Sequence, residues 1–131
     1  IVREGAQLGV GTFGTGNGGR MVISAPRSVL VSGRGSQATS ALFSASSREA
    51  TGNAGEIQIA TGQLTVEAGG TISTSTASAG EGGNLQIQAN SLLLNSGGDI
   101  TSSSRGAGKA GNIRLVLGQS LRASNGEITA A

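Results

Sequence analysis

The chain has 131 residues, enough for one domain, and it carries 24 glycines, two phenylalanines and no tryptophan, tyrosine, histidine or cysteine. Lack of cysteine excludes a disulfide scaffold and any cysteine-based metal or redox site. A net charge of +2, with the nine Lys and Arg scattered along the chain, offers neither the basic stripe nor the stacking aromatics that nucleic-acid binding uses, and apolar runs of only a few residues are too short to insert in a membrane.

Few charges (12%) with a mean hydropathy of +0.02 argue for order rather than disorder. With so few aromatic side chains, the buried area must come from Ile, Leu and Val, in thin layers spread along the chain. Ile1 opens in mid-pattern, with no basic segment leading into an apolar one. Residues 1–131 are therefore read as a single repeat segment excerpted from something longer.

In chain order, a strand-like piece centred on Leu8 is followed by the loop end Gly16-Asn17-Gly18-Gly19 and by Gly19-Arg20-Met21-Val22-Ile23, then by Val29-Leu30-Val31 and a piece centred on Leu42. Residues 32–50 are irregular, and their register is open. The next loop end, Gly52-Asn53-Ala54-Gly55, leads into Ile57-Gln58-Ile59, Leu64-Thr65-Val66 and a piece centred on Ile72. Gly80-Glu81-Gly82-Gly83 then leads into Leu85-Gln86-Ile87, Leu92-Leu93-Leu94 and Ile100, and Gly108-Lys109-Ala110-Gly111 into Ile113-Arg114-Leu115, Leu121-Arg122-Ala123 and Ile128. The last glycine of the loop stands at 55, 83 and 111, so the repeat is 28 residues; the first copy, from Gly19 to Gly55, is 36.

Each piece alternates apolar and polar residues with period two, the mark of a strand with one buried face, and no window has helical spacing. Only a few residues separate the pieces, too few for a crossover helix, so the chain must turn corners and stack each strand on its equivalent in the next coil, about 4.8 Å away. The pattern predicts an all-β, three-sided parallel β-helix of about four coils, with Ile57, Leu85 and Ile113 in one interior column and three parallel sheets. The expected inward set is Met21, Ile23, Val29, Val31, Ile57, Ile59, Leu64, Val66, Ile72, Leu85, Ile87, Leu92, Leu94, Ile100, Ile113, Leu115, Leu121 and Ile128. The variable loop position should form an outward column in which Glu81 and Lys109 are neighbours of opposite charge. Neither terminus has the look of a capping unit, which predicts end-to-end self-association or continuation into flanking coils.

Val2 to Gly19 (VREGAQLGVGTFGTGNGG) and Gly52 to Ser78 (GNAGEIQIATGQLTVEAGGTISTSTAS) resemble the repeats of filamentous-haemagglutinin-like exoproteins, especially the large ones encoded by cyanobacteria. The shared order is G-N-x-G, strand, S/Q-L-x-V, then G-G-x-I-S-x-S, and the likeness covers nearly the whole chain. The resemblance implies a right-handed β-helix exported by two-partner secretion through an outer-membrane pore and held on, or shed from, the surface of a Gram-negative bacterium. The amino-terminal secretion domain of that family is not recognisable here, and the first repeat departs from the pattern by its extra residues.

Several motifs invite sharper readings. Gly14-x-Gly16-x-x-Gly19 and Gly106-x-Gly108-x-x-Gly111 match a dinucleotide fingerprint, which works only between a strand and a helix; no helix is predicted after either, and Ala110 follows Lys109 where a phosphate loop needs Ser or Thr. Asp99 and Glu127 fall in one column of adjacent coils, a candidate carboxylate pair for polysaccharide cleavage, but no aromatic platform accompanies them. A calcium-binding roll needs an Asp in every turn, and the chain has only Asp99. The Thr71 to Thr76 run invites an ice-binding reading, which Asp99 and Glu127 interrupt in the equivalent rank. No catalytic, cofactor-binding or metal-binding residue is assigned. The expected function is the shaft or adhesion segment of a secreted exoprotein, with cell-surface carbohydrate as its contact; the alternatives are an extracellular polysaccharide-degrading enzyme and, less so, an ice-binding solenoid.

Overall fold

A computed structural model describes the chain apart from Phe13, Arg34, Gln37 and Ala131. Ten strands and no helix occur among the described residues: β1 (Val2–Arg3), β2 (Gln7–Thr12), β3 (Arg20–Ser32), β4 (Ala41–Ser46), β5 (Glu56–Glu67), β6 (Thr71–Thr76), β7 (Leu85–Asn95), β8 (Asp99–Ser104), β9 (Ile113–Ser124) and β10 (Glu127–Ala130). Long and short strands alternate along the chain. The odd-numbered strands form one sheet in the order β1-β3-β5-β7-β9, the even-numbered ones a second in the order β10-β8-β6-β4-β2, and every pairing is parallel. Each repeat thus supplies one long and one short strand that pair with the repeats before and after it, an arrangement consistent with a β-solenoid.

The expected three sheets are two. The first and second strand-like pieces of each repeat run together as one long strand, because backbone pairing continues past the corner between them. The corner itself is visible in the side chains. Ile59 and Leu64 are both buried although they stand five residues apart, whereas in a straight strand an odd separation puts residues on opposite faces. At this bend a Cβ on Gly62 would stand 2.7 Å from the Arg27 carbonyl oxygen of the coil below. In β3 and β9 the corner is one residue longer, which appears as register shifts between Ala25 and Ser28 and between Ala89 and Ser91.

The same registers account for the long first repeat. The offset between paired residues is 36 at Arg20↔Glu56, 35 at Ser32↔Glu67, 30 at Ala41↔Thr71 and 28 at Ile57↔Leu85. One extra residue therefore lies in the corner of β3, five between β3 and β4, and two between β4 and β5. In the later repeats the long strand passes to the short one through a tight turn. In Glu67-Ala68-Gly69-Gly70 the central residues have φ of 52° and 82°, and the Gly70 N–H donates to the Glu67 carbonyl at 2.9 Å; Asn95-Ser96-Gly97-Gly98 repeats this with 49°, 83° and 2.9 Å. Two consecutive positive φ values define a type I′ turn.

Inside, the columns Ile57–Leu85, Ile59–Ile87, Leu64–Leu92, Val66–Leu94 and Leu42–Ile72–Ile100 are buried, at no more than 2% exposure. Burying each such side chain contributes about 1.5–3 kcal/mol before the entropy of ordering is set against it. Val29 and Val31 join them, and Met21, Ile23, Ile113, Leu115 and Ile128 pack against this core half-buried. Leu121 corrects the expectation: it is 49% exposed. It sits on β9, the edge strand of its sheet, where Leu92 covers it from one side only. Leu8 on the opposite edge strand β2 is 51% exposed for the same reason.

The interior also holds residues the pattern did not mark. Ser44, Ser46, Thr74, Thr76 and Ser102, on the short strands, are all buried. Thr12, Ser46, Thr76 and Ser104 share one column, and each donates its hydroxyl to a loop carbonyl, of Gly16, Gly52, Gly80 and Gly108 respectively. Ser78 bridges two levels of this column, 3.0 Å from Ser46 Oγ and 3.1 Å from Thr76 Oγ1. The hydroxyls thereby tie the end of each short strand to the glycine-rich loop that follows.

Candidate functional site

The glycine-rich loops stack as closely as the strands. Gly18, Ala54 and Gly82 donate their N–H to the carbonyls of Asn53, Glu81 and Lys109 in the next coil at 2.8, 2.9 and 2.7 Å. At the loop end, a Cβ on Gly55, Gly83 or Gly111 would stand 2.1, 1.7 or 2.1 Å from the carbonyl oxygen of the equivalent glycine one coil below. No real Cβ tolerates such a distance, so glycine is required here by close approach of backbone to backbone.

This stripe of small residues floors a groove of about 360 Å³, with walls formed by the side chains on either side of it. One wall is the column Asn53, Glu81 and Lys109; the other is Glu56, Asn84 and Asn112. Asn side chains hold both walls in register: the Asn53 N–H donates to Asn17 Oδ1 at 2.9 Å, the Glu81 N–H to Asn53 Oδ1 at 2.8 Å, and the Asn112 N–H to Asn84 Oδ1 at 2.9 Å. Each amide oxygen spends itself on the coil above, which leaves the Nδ2 group of Asn53 and Asn84 as a donor facing solvent.

Charge in the groove is mixed. Glu56 is held by Arg20, whose Nε lies 3.3 Å from Glu56 Oε2, and its other oxygen accepts from Gln58 Nε2 at 2.9 Å. Glu81 and Lys109 occupy adjacent levels of one wall, as the loop alignment predicts, yet Arg20–Glu56 is the ion pair that closes among the described residues. Glu81 and Lys109 are both exposed. The lining offers donors (the Asn53 and Asn84 amides and the Lys109 ammonium) and an acceptor (the Glu81 carboxylate), groups of the kind that hydrogen-bond a polyhydroxylated chain. The alignment made the column legible as a loop position, but its pairing with a second polar wall is set by the fold.

The other candidates fall elsewhere. The two dinucleotide-like segments lead into strands β3 and β9, and Gly106 and Gly108 lie against the carbonyls of Ser78 and Gly80 in the coil below. Asp99 and Glu127 are paired on β8 and β10 as their alignment predicts, and the Thr129 hydroxyl donates to Glu127 Oε1. They lie on the outward side of the short-strand sheet beside Thr71, away from the polar groove. Among the described residues no group of three or more metal-ligating side chains comes together, and no helix is long and apolar enough to cross a membrane. No protein-family model, curated protein or solved structure matches the chain.

Proposed function

We propose that the chain is part of a right-handed, three-sided β-helix serving as the shaft of a secreted adhesin similar to the filamentous-haemagglutinin-like exoproteins. It acts as a stiff spacer that touches surface carbohydrate along its outer faces. The observation that supports this most directly is the uninterrupted stacking: every element pairs in parallel with its equivalent in the next repeat, and the interior columns, apolar in the long strands and partly hydroxyl-bearing in the short ones, run from level to level. Such a stack grows in one dimension, each repeat bound only to its neighbours, which is the mechanical requirement of a rod. The third side of the coil is the second half of each long strand, beyond the bend. The axial groove, polar and built from repeating loop positions, is where a glycan would lie along the rod. Export by two-partner secretion and display on a Gram-negative outer surface follow from the resemblance of the repeats.

The rival reading, an extracellular polysaccharide-degrading enzyme, draws on the paired Asp99 and Glu127. One experiment separates the two. The protein is incubated with a panel of immobilised neutral and acidic polysaccharides, and both retention and new reducing or unsaturated ends are measured. Retention without new ends, weakened when Asn84 and Lys109 are replaced by alanine, is the result expected of the adhesin. New ends that vanish in Asp99→Asn or Glu127→Gln make the protein an enzyme and overturn the proposal.

A further inference from the structure

On the short strands β4, β6 and β8 the outward positions hold Ala, Ser and Thr, apart from Phe43 and Asp99. Phe43, half-buried, pairs with Gly9 of β2 on one side and with Ser73 of β6 on the other. A Cβ on Gly9 would stand 2.6 Å from Phe43 Cε2, 2.7 Å from Cε1 and closer still to Cζ. A point in the ring plane beyond Cζ would lie farther than this from both Cε atoms, so the missing Cβ points into the face of the ring. Gly9 thus lets the ring lie flat on the backbone of the neighbouring coil, with its second face toward solvent. An aromatic laid over a strand glycine shields that backbone, which accounts for the covered face of the ring and leaves the open one unexplained.

We propose that Phe43, laid on Gly9, is a stacking platform for one pyranose unit of a neutral, equatorially linked glycan. The proposal rests on the reading of the outer faces as carbohydrate contacts, and it adds to the polar groove a second site on another face. An equatorially substituted pyranose presents axial C–H bonds on its flat sides, and these carry the partial positive charge that the negative face of an aromatic ring attracts. Its hydroxyls radiate around the rim, so they need partners beside the platform.

The surroundings of the ring supply both access and partners. Along β4 it is flanked by Ala41 and Ala45, which are too short to cover it. In the same outward column Ser73 and Thr101 follow at successive coils. Coils are spaced about 4.8 Å apart, roughly the advance of one unit in an extended chain of this kind, so the units after the first lie over hydroxyls that both donate and accept. Charge sets the class of glycan. Among the described residues no Lys or Arg occupies an outward position of β4, β6 or β8, and Asp99 stands two residues before Thr101. An acidic chain would meet this carboxylate with no cation on the face to offset it, and a neutral chain would not. Because coils add along the axis, a coil preceding β2 would meet the edge of the Phe43 ring and leave its outer face open.

The chain has no Trp or Tyr, so Phe43→Trp puts a single indole reporter at the platform. Cellohexaose and its acidic counterpart, a hexamer of β-linked glucuronic acid, are titrated into this variant and into the unsubstituted protein, with calorimetry for both and fluorescence for the variant. Cellohexaose should bind both proteins and shift the indole emission to the blue, and the acidic hexamer should bind at least ten times more weakly. Phe43→Leu, which keeps an apolar cover on Gly9 and removes the aromatic face, should weaken cellohexaose binding at least tenfold, whereas Asn84→Ala with Lys109→Ala should leave it unchanged. If Phe43→Leu does not fold, the emission of Phe43→Trp decides alone. Cellohexaose binding that survives Phe43→Leu, an emission unmoved at saturation, or equal binding of the acidic hexamer overturns the platform; where that binding is lost with Asn84 and Lys109 instead, the groove reading stands without it. Absence of any cellohexaose binding also overturns the platform, and retention on the wider polysaccharide panel then decides the groove by itself.

Discussion

Single residues in this chain are constrained mainly by the backbone of the coil below. A Cβ on Gly83 would meet the Gly55 carbonyl oxygen at 1.7 Å, whereas its neighbour Asn84 is exposed and contributes one hydrogen bond, to the Asn112 N–H. Gly83→Val should therefore lower stability by more than about 2 kcal/mol, a value reserved for substitutions with a named steric or polar cause, while Asn84→Val should cost no more than about 0.5–1.5 kcal/mol. Urea denaturation of the two variants checks the order, and a reversal would misplace the turn. Ala68 offers the opposite opportunity. It is exposed, holds φ of 52°, and has no polar side chain to ease a conformation that costs an L-residue about 1–2 kcal/mol. Ala68→Asn, the residue type that occupies the equivalent position 125, should raise the unfolding midpoint by a fraction of that amount, and a lower midpoint would contradict the turn assignment.

At the scale of the strand, the short elements β4, β6 and β8 teach the most about what the sequence conceals. Their interior positions alternate as strictly as those of the long strands, yet two of every three carry hydroxyls, so a reading keyed to apolar residues finds Leu42, Ile72 and Ile100 and stops there. The buried hydroxyls are of two kinds. Thr76 Oγ1 donates to the Gly80 carbonyl at 3.2 Å and contacts Ser78 Oγ, but Thr74 Oγ1 and Ser44 Oγ, one position inward, are buried without a partner. A buried unpaired polar group costs about 1–3 kcal/mol, and replacing it by an isosteric methyl recovers that cost. Thr74→Val should thus stabilise the protein, and Thr76→Val should destabilise it by about 1–3 kcal/mol because the Gly80 carbonyl and Ser78 lose their partner. Thermal unfolding of the pair distinguishes them; destabilisation by both would mean that Thr74 is bonded in solution. Legibility elsewhere followed the same physics. The column Ile57–Leu85–Ile113 was readable because side-chain parity is local and the offset is fixed. The fusion of two pieces into one long strand was not, since whether the ladder of backbone bonds survives a corner depends on the coil above. The five-residue insertion between β3 and β4 was unreadable because it has no counterpart to align with, and the groove because its second wall comes from a different part of the repeat.

At the scale of the whole molecule, residues 1–131 expressed by themselves present a stack with two open ends, and their charge distribution does little to keep them apart. Strands β9 and β10 have pairing partners on one side only, as do β1 and β2 at the other end, and an unpaired strand edge is a template for another chain. Apolar side chains accompany these edges: Leu121 is 49% exposed on β9 and Leu8 51% exposed on β2. Because the two ends differ, joining one to the other is a heterologous contact that does not close, so it propagates instead of stopping at a dimer. A net charge of +2 on 131 residues supplies little repulsion against this. Sedimentation across a concentration series should show the average mass rising without a plateau at twice the monomer. Leu121→Glu with Leu8→Lys, which leave the interior columns intact and put charge at both edges, should shift the rise to higher concentration, and added salt should partly restore it by screening. A strict monomer at the highest concentration would mean that the edges are blunted by their own twist or loops, and the end-to-end reading of the stack would have to be given up.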